Sequence, residues 1–157
     1  MKMRPVAAVV CASLLCLAVF TAKIVQAAEV VYVGSKVCAE CHEEQYDKFK
    51  AYAKKANSSR SIKLMASDLT KEELKECFGC HTTGYGRAGG FKSFEETPEL
   101  ANAGCEVCHG PGSEHVAGGG DTDFIKTTLS INDCESCHSE ERVDAFNFKP
   151  MLFGGAH

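Results

Sequence analysis

The chain has 157 residues with 17 basic and 21 acidic side chains, six histidines, ten cysteines and no tryptophan, for a formal net charge of −4. That balance excludes the basic stripe on which nucleic-acid or anionic-membrane binding depends. Few large apolar side chains are left once the N-terminal apolar run is set aside, so a core of ordinary composition would be thin for this length.

Lys2 and Arg4 precede an apolar run from Pro5 to Phe20, and Val25-Gln26-Ala27 offers small residues at a cleavage position. The run is shorter than the roughly 20 residues that cross a bilayer. This is the composition of a signal peptide over residues 1–27, with one domain over 28–157. Val10 and Leu15 stand before Cys11 and Cys16, where lipidation asks for a small residue; retention as an anchor is the alternative, since only Lys23 interrupts the segment. Loss of Lys2, Arg4 and Lys23 leaves 14 basic against 21 acidic residues and a net charge of −7. The expected location is periplasmic or extracellular, without membrane attachment after cleavage.

In chain order, Ser35 can cap a first helix that carries Cys38, Cys41 and His42 and runs to about Ala56, with Tyr46, Phe49, Tyr52 and Ala53 on its apolar face. Thr70 and Glu73 have capping-box spacing, and Leu69 with Leu74 can staple the same turn. The helix they start delivers Cys77, Cys80 and His81, and Gly84 and Gly86 then release the chain. Thr97-Pro98 reads as a cap and first helical residue. Gly104 interrupts before Cys105, Cys108 and His109. Gly110-Pro111-Gly112 and Gly118-Gly119-Gly120 are loops, and Asn132 with Glu135 offers a cap for Cys134, Cys137 and His138. No stretch alternates with the period of a strand. The fold class is mainly α with extensive loops, in which short helices wrap covalently bound cofactors.

The eight cysteines after residue 27 form four Cys-x-x-Cys pairs, each followed at once by histidine: His42, His81, His109 and His138. On a helical turn residues i and i+3 share a face and can both reach the vinyl groups of one porphyrin. The next imidazole then lies under the iron as proximal ligand. Four covalently attached haem c groups follow. A disulfide framework leaves four histidines in one register unexplained, and zinc has no need of a histidine beside every pair.

Cys77-Phe-Gly-Cys-His-Thr-Thr-Gly-Tyr-Gly, Gly89-Gly90 and Gly104-Cys-Glu-Val-Cys-His-Gly-Pro-Gly-Ser-Glu-His115 follow one another in an order that resembles the tetrahaem cytochrome c-554 family. The resemblance implies a mostly helical fold with haems in closely stacked pairs. It implies His115 as distal ligand of the first haem, His157 as that of the fourth, and a second haem with no strong distal ligand. A histidine that would serve the third haem is missing about where Lys54 stands, leaving Lys54, Met65 or an open iron. Independently of the family, four bis-histidine haems need eight imidazoles, and six are present. At least two irons therefore lack a second histidine.

Close haems on an acidic chain imply an electron carrier whose redox partners present a basic docking patch. The alternatives are an oxidoreductase for a nitrogen oxide or similar small molecule at a five-coordinate haem, and a haem-conduit subunit of a filament. No catalytic residue can be assigned from sequence; Lys54 and Arg87 are the candidates for a distal pocket. Oligomeric state is left open.

Overall fold

In the computed structural model, residues 29–139 are described. The expected signal peptide, with Cys11 and Cys16, and the expected ligand His157 lie outside the described residues. Seven short helices, α1 (Ser35–Cys38), α2 (Glu43–Tyr52), α3 (Ser59–Met65), α4 (Lys71–His81), α5 (Glu106–His109), α6 (Ser113–Ala117) and α7 (Asn132–Glu135), are joined by loops and single 3-10 turns; no strand occurs among the described residues. None of the helices described is long and apolar enough to cross a membrane.

The start of α4 follows its sequence signal closely. The Thr70 hydroxyl accepts from the Glu73 amide at 3.3 Å, and the Glu73 carboxylate accepts from the Thr70 amide at 2.9 Å and its hydroxyl at 2.8 Å. Both halves of the capping box are made, and these bonds hold the exposed Glu73 carboxyl below its usual range.

The first helix departs from expectation at both ends. The cap position is Gly34, at φ 84°, and the Ser35 hydroxyl accepts instead from the Cys105 amide at 3.0 Å. The helix breaks after Cys38, resumes at Glu43 and ends at Tyr52, because Ala53 is extended and the chain restarts as a 3-10 turn over Lys54–Asn57. Beyond that turn the Ser58 hydroxyl donates to the His81 carbonyl at 2.7 Å and accepts from the Ala103 amide at 2.8 Å, while the Ser59 amide donates to Asn102 at 3.0 Å. These bonds hold the segment where a continued helix would carry it away. At α7 the capping group is likewise not Asn132: the Asp133 carboxylate accepts from the Ser130 amide at 2.8 Å and its hydroxyl at 3.0 Å.

Ile62, Phe78, Phe91, Leu100 and Ala101 form a buried cluster, with Tyr32, Leu74, Tyr85 and Phe94 packed against it. Phe78 meets Tyr85, Phe91 and Phe94 edge to face at centroid distances of 5.2, 5.2 and 5.8 Å. The core beside the second motif is thus protein, not porphyrin. Around it the buried Thr83 hydroxyl donates to the Asn102 carbonyl at 2.6 Å and accepts from Gly104 at 2.9 Å. The chain closes so tightly that a Cβ at Gly90 would run into the Gly84 carbonyl, and one at Gly104 into the Ser35 hydroxyl.

Candidate cofactor sites

Each Cys-x-x-Cys-His motif adopts a helical turn. The His42, His109 and His138 amides donate back to the carbonyls of Cys38, Cys105 and Cys134 at 2.9, 3.1 and 2.8 Å, and the second motif ends α4. Both cysteines of a motif therefore face one way, as covalent attachment of a single ring requires. Among the described residues no disulfide joins these cysteines, and no three His, Cys, Asp or Glu side chains converge as a metal-ion site.

The first and third motifs open into one cavity of about 580 Å³. Cys38, Cys41 and His42 line it from one side and Cys105, Cys108 and His109 from another, with His115 also in its wall. The two motifs adjoin: the Cys105 amide donates to the Ser35 hydroxyl at the start of α1, and the neighbouring thiols draw Cys105 down to about 6 and push Cys38 up. Cys80 in turn lies 3.9 Å from the Ser136 carbonyl, so the second motif meets the fourth. Motifs distant in sequence are thereby paired in space, first with third and second with fourth.

Three of the histidines are held by their Nδ1 atoms. Nδ1 of His81 faces the Ser58 carbonyl at 3.1 Å, that of His109 the Lys126 carbonyl at 2.7 Å, and that of His115 the Asp121 carbonyl at 2.8 Å. A carbonyl only accepts, so Nδ1 carries the proton and the Nε2 lone pair is left to bind iron. Burial, with the nearby Lys55 cation, lowers the pKa of His138, favouring its neutral form.

His42 and His115 lie with ring planes 15° from parallel and centroids 6.3 Å apart. Two imidazole nitrogens about 2.0–2.1 Å from one first-row metal, each about 1.1 Å ahead of its ring centroid, give a separation of about 6 Å. The residues present fit a haem iron between them.

Sequence reasoning missed Glu106, inside the third motif. Its side chain is buried, and its carboxylate accepts from Val33 at 2.9 Å, Gly34 at 2.7 Å and Gly112 at 2.7 Å, all backbone amides. One carboxylate thus joins the start of α1, the third motif and the loop leading to His115. An acidic residue between the two cysteines was visible, but its partners stand 72 and 73 residues away. Lys54, Met65 and Arg87 are exposed and do not line the cavity; the neighbouring Lys55 does. The extended Ala53 and the 3-10 turn that follows it set which of the two lysines borders the cavity.

Cysteine pairs on helical turns, each with an adjacent histidine and two of them facing a largely apolar cavity, are the arrangement of a c-type cytochrome. Residues 37–110 match the family described as cytochrome c554 and c-prime. Cytochrome c-554 of Nitrosomonas europaea is 38% identical over a match covering 55% of this chain and 41% of that relative, so the match spans about two fifths of the relative's length. The reduced state of cytochrome c554 from the same organism shares the fold, with a TM-score of 0.58 at 21% identity over 83% of this chain and 86% of the other. Over residues 37–110 the chain is therefore similar to the cytochrome c554 and c-prime family, and the c-type attachment motifs imply covalently bound haem.

Proposed function

We propose that the chain is an exported tetrahaem c-type cytochrome that transfers electrons between redox partners through closely spaced haems. The observation that carries this reading is the shared cavity, into which two attachment motifs open. When bound, haem supplies an iron couple that accepts and returns one electron at a time. The chain's own residues fix its place. Eight cysteines would anchor four rings, while His42, His81, His109 and His138 would stand on the proximal sides. His115, held by the Asp121 carbonyl, would complete the first iron, and His157 is the family's counterpart at the fourth.

An oxidised iron with two imidazoles has no site left for substrate, which suits it to carrying electrons rather than to chemistry. The excess of 21 acidic over 17 basic residues favours partners with a basic docking patch. Lys2, Arg4 and the apolar run after them favour export to the periplasm or beyond, where haem would be attached.

Haem content and intact mass of the protein purified from its exported fraction test the reading. Four haems on a chain lacking residues 1–27 are expected. Fewer than four would overturn the tetrahaem assignment. In stopped-flow oxidation by a basic partner protein, the rate should fall as salt rises; indifference to salt would overturn the docking reading.

A further inference from the structure

We propose that Lys55 supplies the distal ligand of the third haem, binding its iron through the neutral ε-amine. The inference rests on the tetrahaem reading and deepens it. The count of histidines leaves at least two irons without a second imidazole: four of the six stand in the motifs, and His115 lies parallel to His42. His157 alone cannot serve the three other irons. The cavity that holds the first and third motifs is therefore the place to look for a donor that is not histidine.

Its wall contains two lysines, Lys55 and Lys126. Lys126 is engaged by Asp133. Glu40, Gln45 and Tyr46 belong to the turn and helix that carry His42, the Glu106 carboxylate is taken up by three backbone amides, and the hydroxyls of Thr122 and Thr127 are weak ligands for haem iron. Lys55 sits half-buried on the 3-10 turn over Lys54–Asn57, its base fixed by Ala53 and Ala56, which are 4% and 1% exposed. It lines the cavity together with Cys105, Cys108 and His109 of the third motif.

An amine binds iron only after losing a proton, which passes to solvent. Removal from water disfavours the ammonium, and metal binding draws the equilibrium the same way. Arginine cannot follow this course, because its guanidinium stays protonated. That difference separates ligation from a merely electrostatic role.

The test uses the full-length, haem-loaded protein and three variants, Lys55→Ala, Lys55→Arg and Lys55→His. Haem content is measured first; fewer than four haems per chain in the unaltered protein would defeat the tetrahaem reading and leave the rest of the experiment without a subject. With four bound, low-temperature EPR and near-infrared magnetic circular dichroism of the oxidised protein should show one histidine–amine low-spin haem. Lys55→Ala and Lys55→Arg should each turn one haem per chain from low to high spin, leaving the His42–His115 signal in place. Lys55→His should restore a low-spin haem with a bis-imidazole spectrum. If Lys55→Ala and Lys55→Arg bind four haems and keep the low-spin count of the unaltered protein, the proposal is wrong. A histidine–amine signal absent from the unaltered protein would also overturn it.

Discussion

Two halves of the molecule solve the problem of an interior differently. Around α4 the protein packs against itself, with Phe78 edge-on to three aromatic rings and Leu100 almost fully buried. Around α1, α5 and α6 the side chains surround a cavity of about 580 Å³, held open by hydrogen bonds from Ser35 and Glu106 to distant backbone. The first region has a core of its own. The second is a frame whose apolar filling has to come from a cofactor, so its stability is linked to haem attachment.

The largest expected effect breaks that contrast directly. Protein made without haem attachment should lose hydrogen-exchange protection over residues 37–46 and 104–127 while amides near Phe78 and Phe91 keep more of theirs. Equal loss in both regions would show that the aromatic cluster is no independent core. Phe78→Ala should cost about 3–5 kcal/mol in chemical denaturation, as expected when a buried aromatic leaves a cavity.

Glu106→Ala strips the partner from three backbone amides and should cost on the order of 3 kcal/mol. Its effect should concentrate in the haem-bearing half, with weaker retention of the His115 loop. Thr70→Ala removes one half of the capping box and should cost about 1 kcal/mol, confined to the start of α4.

The smallest effect concerns the exposed link between Lys126 and Asp133. Lys126, with the Ser130 amide, holds Asp133 at about 2, below its ordinary 3.8. A carboxyl depressed in the folded state stabilises it above its unfolded pKa and ceases to do so as pH falls through the folded value. Stability should therefore drop slightly between about pH 4 and pH 2 in the parent protein, and Asp133→Asn should remove that part of the acid dependence.

Local features were legible in the sequence. The four Cys-x-x-Cys-His turns, the capping box at Thr70 and the absence of strand periodicity depend on residues three or four apart, and the structure shows each of them. Cysteine spacing could not say which motifs would meet. That pairing depends on Ser35 reaching Cys105, on Glu106 reaching Val33 and Gly34, and on Thr83 reaching Asn102, contacts between residues 19 to 73 positions apart. Ser35 was read as a local cap because serine caps helices often; its hydroxyl serves a long-range bond instead. The break of the first helix at Ala53 was equally illegible, because the bonds of Ser58 and Ser59 that hold the chain there reach residues 23 to 45 positions away.

The shared cavity is tested most directly by anomalous diffraction at the iron edge from crystals of the haem-loaded protein. One iron peak is expected between the imidazoles of His42 and His115, and a second beside His109 in the same cavity. Absence of a peak between His42 and His115, or irons of the first and third motifs in separate pockets, would contradict it.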